Sequence, residues 1–276
     1  MPGRVAVTGA AGQLGSQLVR AFEMTGAEVL PLGRSELDIT RPADIGRLVE
    51  LRPDVVVHAA AWTDVDGAAR DPERATRING AAAGAVAAAA ARADAAVVQI
   101  STNEVFDGLL ERAYTEEDVP SPINPYGASK LEGERLVAAA NARHLIVRTA
   151  WLFGASQRSF PEKIRAAGER ALGEGRALRV VEDEWGNPTD VRWLASAIAQ
   201  LVDLAMAGAA PWGIYHLAGM PPTSRAAWAR HILAELPVAI EPIRLVDYPR
   251  DSHVPPRAIL DVSRATALRI APGSWS

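Results

Sequence analysis

The chain of 276 residues is 49% hydrophobic and 22% charged, with a formal net charge of -4, which suits one large α/β domain, or one and a half domains, with a sizeable core. Acidic and basic residues are interspersed, so neither a nucleic-acid surface nor a membrane-binding face is expected. It has no cysteine, which excludes disulfides, thiolate metal sites and cysteine nucleophiles.

Only Met1-Pro2-Gly3-Arg4 precedes the first strand-like run, so no signal peptide is expected and a cytoplasmic location fits. Short β-branched runs at Arg4–Thr8, Glu28–Leu32, Asp54–His58, Ala96–Ser101 and Leu145–Thr149 read as strands. Helical stretches near Gln13–Thr25, Pro42–Leu51, Pro72–Arg92 and Pro125–Asn141 lie between them. Such alternation predicts βαβ units and an α/β, Rossmann-like doubly wound parallel sheet. The strand runs lack polar alternation, as expected where both faces are buried. The alanine-rich stretch Gly80–Val98 is interrupted by Arg92 and Asp94. It is too weakly apolar for a membrane span and predicts a packed helix followed by a strand. After Trp151 the pattern weakens. Gly154–Ser159 reads as a loop, a helix follows to about Leu172, and a strand lies near Ala177–Val181. A helix over Val191–Met206 and a strand over Gly213–Ala218 are expected to rejoin the sheet. Beyond them come the proline pairs Pro221-Pro222 and Pro255-Pro256 and shorter elements.

The first strand runs into Thr8-Gly9-Ala10-Ala11-Gly12-Gln13-Leu14-Gly15, a Gly-x-x-Gly-x-x-Gly at a strand-to-helix junction. Gly9 permits the tight turn, Gly12 lets backbone approach a pyrophosphate, and Gly15 allows close helix–strand packing. The helix N-terminus supplies free N–H groups and a favourable dipole for the anion. The pattern predicts a dinucleotide-binding domain of residues 1–152 plus about 186–218. A smaller C-terminal lobe of about 153–185 plus 219–276 would hold the substrate. The second strand ends Pro31-Leu32-Gly33-Arg34-Ser35, without the Asp or Glu that holds an NAD ribose. Arg34 can pair with a 2′-phosphate and Ser35 can donate to it, which favours NADP(H), with NAD(H) as the alternative. Asp38 and Ile39 fall on the adenine side.

The fourth strand ends Ser101-Thr102-Asn103-Glu104, beyond the carboxyl end of a parallel sheet, where ligands bind. The next helix opens Asn124-Pro125-Tyr126-Gly127-Ala128-Ser129-Lys130, with Asn124 as N-cap and Pro125 in the first turn. Only two of the 29 basic residues are lysines, Lys130 and Lys163, yet Lys130 stands one turn after Tyr126. A compact ammonium approaches a phenol and a ribose together, which a planar guanidinium does poorly. Thr102 and Tyr126 would hydrogen-bond a substrate carbonyl, and Tyr126 would protonate the developing alkoxide as the nicotinamide reduces the carbon. Lys130 would ease phenolate formation and hold the nicotinamide ribose.

These residues resemble the extended short-chain dehydrogenases/reductases, and most closely the dTDP-4-dehydrorhamnose reductase family. The similarity spans nearly the whole chain. Its pieces include the glycine loop, Leu37-Asp38-Ile39-Thr40, and the run from Arg52-Pro53-Asp54 through His58-Ala59-Ala60-Ala61-Trp62-Thr63. Val105-Phe106-Asp107-Gly108, Arg148-Thr149-Ala150-Trp151, Gly186-Asn187-Pro188-Thr189 and Gly213-Ile214-Tyr215-His216-Leu217-Ala218-Gly219 continue it. The glycine loop and Tyr-x-x-x-Lys specify only the superfamily, while Val105-Phe106-Asp107-Gly108 and Tyr126-Gly127-x-x-Lys130-Leu131-x-Gly133-Glu134 are much more specific. The resemblance implies NADPH-dependent reduction of the C4 ketone of a nucleotide-linked 4-keto-6-deoxysugar, dTDP-4-dehydro-L-rhamnose first. It implies that Ala61, Trp62 and Thr63 line the cofactor, beside Ala59 and Ala60, and that Trp151 lies near the sugar nucleotide. The alternatives are another nucleotide-sugar ketoreductase or epimerase, or a non-catalytic NADP-binding regulatory subunit, against which the intact Thr102, Tyr126 and Lys130 argue.

The chain departs from the family pattern in three places. Asn103-Glu104 replaces the frequent Asp-Tyr after the catalytic Thr. Superfamily dehydratases carry Thr-Asp-Glu there, so this chain has half of that acid/base pair and dehydration is disfavoured. Asn103 and Glu104 are then expected to bind the sugar. Pro255-Pro256-Arg257-Ala258-Ile259-Leu260 lacks a serine that is frequent in the C-terminal lobe. Gln17 and Arg192 stand where some members hold a dimer-bridging Mg²⁺ with glutamates, so no metal and a monomer or weak homodimer are expected.

Overall fold

The computed structural model describes residues 2–155 and 159–275. Strands β1 (Arg4–Thr8), β2 (Glu28–Leu32), β3 (Val55–His58), β4 (Ala96–Thr102) and β5 (His144–Thr149) form one sheet with Gly213–His216. The order is β2-β1-β3-β4-β5 and then Gly213–His216. Every pairing is parallel. The chain reverses its direction of travel across the sheet at β1, so a crevice opens beyond the carboxyl ends of β1 and β3.

Alternate strand residues feed two cores. Val5, Val7, Val55 and Val57 pack with Leu14, Leu18 and Phe22 of helix Gln13–Met24 and with Leu194, Ile198 and Leu201 of helix Val191–Met206. Ala6, Val56 and Val97 face the other way, onto Leu48, Val86, Ala87 and Val137. Those come from helices Pro42–Leu51, Ala82–Arg92 and Pro125–Ala140. Both faces are therefore covered, which is why the strands read as continuous apolar runs. The alanines of Ala82–Arg92 let it lie close to Pro125–Ala140: a Cβ on Gly84 would come 2.7 Å from the Leu136 Cβ.

The helix expected over Pro72–Arg92 is interrupted. Pro72–Ala75 leads into a π-helical turn, Thr76–Ala81, and only then into Ala82–Arg92. Asn79 accounts for the turn, since its carboxamide is held by tertiary partners. Its Oδ1 accepts from the Trp62 N–H (2.8 Å), and its Nδ2 donates to the Trp62 carbonyl (3.0 Å) and to Ser129 Oγ (3.0 Å). A further helix, Val65–Arg70, is capped by Asp64, whose carboxylate accepts from the Gly67 N–H. Six residues are too few to show a helical period in the sequence.

Beyond β5, helix Phe160–Gly173 precedes strand Leu178–Val181, which pairs in parallel with Ile240–Ile243. Ile164, Leu178, Ala226, Ala229 and Leu233 form a separate core there with helix Arg225–Ile232. The strand expected over Gly213–Ala218 ends at His216. Ile240–Ile243, which alternates poorly and carries Pro242, has no clear sequence signal. Of the loop read at Gly154–Ser159, residues 156–158 lie outside the described residues. Among the described residues no helix is long and apolar enough to cross a membrane.

Candidate active site

The glycine loop sits in the crevice at β1 and β3. Gly9 has φ +69°, and a Cβ there would lie 2.7 Å from the Ala60 backbone. A Cβ on Gly15 would lie 2.1 Å from the Gly9 carbonyl oxygen. Both positions thus require glycine, Gly9 for its left-handed turn as well as for space. Helix Gln13–Met24 has Gly12 as N-cap and no side-chain cap, so its first N–H groups remain for a ligand. Gln13 Nε2 is buried without a hydrogen-bond partner.

A cavity of about 320 Å³ runs from this loop to the end of β2. Gly9, Gly12, Arg34, Asp38, Ile39, Ala59, Ala60, Ala61 and Trp62, all expected from sequence on the cofactor side, line it. Ser35 does not, and its hydroxyl donates to Glu36 (2.7 Å). The exposed Arg34 guanidinium lies 3.6 Å from the Asp38 carboxylate. Hydrogen bonds from Thr40, and then the charges of Arg34 and Arg41, hold Asp38 below the usual carboxylate range. Arg74, which sequence reasoning missed, enters from a different helix and stacks 4.5 Å over the Trp62 ring.

A second cavity of about 810 Å³ shares Gly12, Ala59 and Ala61 with the first. It brings Gln13, Leu14, Gly15 and Thr63 together with Thr102, Asn103, Glu104, Tyr126, Lys130 and Trp151. The catalytic helix is seated by its cap. Asn124 Oδ1 accepts from the Gly127 N–H (2.7 Å), while Nδ2 donates to Glu104 Oε2 (2.7 Å) and to the His253 carbonyl (2.8 Å). A Cβ on Gly127 would lie 2.0 Å from the Glu104 carbonyl oxygen, so the helix meets the short turn Asn103–Val105 that follows β4 backbone to backbone.

Tyr126 is buried, and burial, followed by the charge of Glu104, pushes its phenol well above the usual range. A hydrogen bond with Thr102 pulls the other way. Lys130 is 3% exposed and its Nζ donates to the Ile100 carbonyl (2.6 Å). Burial lowers its pKa to about 8, with Glu134 opposing. Thr102 Oγ1 accepts from the Glu104 N–H (3.2 Å) and donates to Asn103 Oδ1 (3.3 Å). The Asn103 amide donates to the Ala258 carbonyl (3.0 Å), so that side chain also ties the site to the C-terminal segment. Burial raises Glu104 to about 7; the Asn124 hydrogen bond opposes this and Glu184 adds to it.

Trp151, at φ +46°, lies under the Arg225 guanidinium (3.5 Å) and stacks with Trp228 (5.9 Å). Glu184 holds Arg225 at 2.9 and 3.1 Å. Arg225, Trp228, Phe160 and Lys163 complete the wall, and none was expected from sequence as a site residue. Lys163 carried a signal all the same, since both lysines of the chain line this one cavity. His58 and His216 do not line it, and burial pushes both to about 3, leaving them uncharged. Among the described residues no group of three or more His, Asp or Glu is placed to hold a metal ion.

The arrangement offers a neutral acid, a hydroxyl and a cation beside a dinucleotide crevice, a set suited to carbonyl reduction. A dTDP-4-dehydrorhamnose reductase of Burkholderia thailandensis is 38% identical over 93% of this chain and 90% of its own length. The crystal structure of the Clostridium acetobutylicum enzyme superposes with a TM-score of 0.90 at 31% identity, covering 99% of this chain and 95% of that one. That of the Bacillus anthracis enzyme, in complex with NADP, gives 0.90 at 32% identity over 99% and 95%. The family model described as the RmlD substrate binding domain matches residues 3–276. A match of that extent takes in both the crevice and the wall around Trp151, and the chain belongs to the dTDP-4-dehydrorhamnose reductase family.

Proposed function

We propose that this chain reduces the C4 ketone of dTDP-4-dehydro-L-rhamnose, a nucleotide-linked 4-keto-6-deoxysugar, to the alcohol, with NADPH as reductant. The observation that carries this reading is the buried, protonated Tyr126 beside Thr102 and Lys130, in a cavity that shares its wall with the glycine loop. The unpaired Gln13 amide and the uncapped helix start fit a dinucleotide pyrophosphate. Arg34, with Arg74 across the cavity, suits a 2′-phosphate, with NAD(H) as the lesser alternative. Bound NADPH supplies the hydride to the carbonyl carbon.

Thr102 and Tyr126 hold the ketone oxygen, and Tyr126 gives its proton to the oxygen as negative charge develops there. Lys130 offsets the phenolate charge so formed and holds the nicotinamide ribose. Trp151, beneath Arg225, borders the sugar together with Asn103 and Glu104. Residues 1–152 plus about 186–218 serve as the cofactor domain, and about 153–185 plus 219–276 as the substrate lobe. We read the enzyme as a cytoplasmic monomer or weak homodimer with no bridging metal. Arg192 is paired with Asp190 (2.6 Å) and would repel a cation beside Gln17.

The test is NADPH oxidation against dTDP-, UDP- and GDP-linked 4-keto sugars, with and without Tyr126→Phe. The dTDP sugar should turn over fastest, and the variant should lose about a hundredfold or more. Near-normal turnover by Tyr126→Phe would remove the acid from this mechanism.

A further inference from the structure

The last residue of the Tyr-Gly-x-x-Lys-Leu-x-Gly-Glu run, Glu134, takes no part in the mechanism above, yet it is a carboxylate only 3% exposed. It stands one helical turn beyond Lys130, as Lys130 stands one turn beyond Tyr126, so the three share one helix face. That face is fastened to three consecutive residues of β4. Tyr126 meets the Thr102 hydroxyl, Lys130 Nζ donates to the Ile100 carbonyl (2.6 Å), and Glu134 Oε1 accepts from Ser101 Oγ (2.5 Å). Glu134 is also held from β5. Arg148, 1% exposed, donates from Nε to Oε1 (2.9 Å) and from Nη2 to Oε2 (2.7 Å). Arg148 and Ser101 are register partners across β4 and β5, and Thr102 and Thr149 are the next pair.

We propose that Glu134 is a positioning residue for the reduction: its carboxylate, clamped by Ser101 and Arg148, fixes the catalytic helix in register with Thr102 and sets a negative charge one turn from the Lys130 ammonium. The second effect follows from what surrounds the ammonium. His58 on β3 is neutral, Tyr126 is protonated, and Arg148 on β5 carries the same sign as Lys130. Glu134 is thus the anion that offsets the burial of Lys130. An apolar pair of similar volume would stabilise this helix–strand contact as well or better, so stability alone does not account for the buried Glu134–Arg148 pair.

The inference rests on the Tyr126–Lys130 reading of the site. The experiment uses Glu134→Gln and the double variant Glu134→Gln/Arg148→Met, with NADPH affinity by fluorescence titration, Tm, and kcat and KM across pH. Glu134→Gln should lower kcat by about tenfold or more, a scale set by small misplacements of catalytic groups. KM for the sugar should move far less. The alkaline limb of the kcat profile should shift to lower pH, since loss of the anion lets Lys130 shed its proton sooner. The double variant removes the stranded Arg148 charge, so Tm should recover and the limb should move part of the way back, because a like charge near Lys130 goes with the anion, while kcat does not recover. Recovery of kcat in the double variant would reduce Glu134 to a structural partner of Arg148 and overturn the proposal. So would a folded Glu134→Gln enzyme with the wild-type kcat and limb. If Tyr126→Phe retains turnover, the underlying mechanism fails instead, whatever Glu134→Gln does.

Discussion

Burial gives neighbouring side chains in this site opposite tasks. It keeps the Tyr126 proton on and loosens the Lys130 proton, so an acid and an ammonium that titrates nearer to neutrality stand one turn apart. Glu104 is the third group so affected, its carboxyl raised from 4.5 to about 7. In the unfolded chain it ionises near its ordinary value, whereas in the folded enzyme it holds its proton longer. Its contribution to stability is therefore complete below about pH 4.5 and fades as pH rises through about 7. Glu104→Gln cannot ionise, so its Tm should gain on the wild type as pH is raised across that window, while C4 reduction persists. Thermal melts from mildly acidic to mildly basic buffer check this, and a constant Tm difference would contradict it. The residue scale is also where sequence reading reached least evenly. Thr102, Tyr126 and Lys130 were legible because their spacing states their chemistry. Arg74, Arg225 and Trp228 were not, because folding alone carries them to the cavity. Asn103 showed its place on the strand end but not that its amide is spent on the Ala258 carbonyl.

At the scale of elements, the decisive contact is helix Pro125–Ala140 against β4 and the π-helical turn. Gly127 and Gly133 make it possible, since a Cβ at either would lie 2.0 Å from the Glu104 carbonyl or 2.3 Å from that of Asn79. Gly127→Ala should therefore push the N-terminus of the catalytic helix away from β4. Stability should fall by about 1–3 kcal/mol, the usual cost of overpacking. Turnover should fall further than that loss implies, because the Tyr126 phenol moves with the helix. Denaturant melts beside kcat measurements separate the two effects, and a variant with full turnover would show that the contact does not place Tyr126. The five early strands were legible because β-branched runs between helical periods have few other solutions. The break at Thr76–Ala81 was hidden in an unremarkable helical pattern, because its cause is the bonding of Asn79 to Trp62 and Ser129, far along the chain.

For the whole molecule, one aromatic group ties the end of the sheet to the later elements. Trp228, 2% exposed, lies against Trp151 (5.9 Å), Phe153 (5.5 Å), Phe160 (4.8 Å) and Trp275 (6.5 Å). Trp228→Ala should cost about 3–5 kcal/mol. It should also raise KM for the nucleotide sugar severalfold while NADPH affinity stays near wild type, because the cofactor crevice lies at the other end of the site. Calorimetry and steady-state kinetics test both, and an equal loss of NADPH affinity would mean the cluster supports the entire enzyme. Asn187, wholly buried, braces the same region by donating to the Gly219 carbonyl (3.0 Å) and accepting from the Leu260 N–H (2.9 Å). The placement of the two lysines has a practical result. Apart from the α-amino group, the chain's primary amines are Lys130 and Lys163, and both border one cavity. Acylating or reductively alkylating reagents, which leave guanidinium groups alone, would thus be drawn to the active site by composition alone, and a bound nucleotide would shield it.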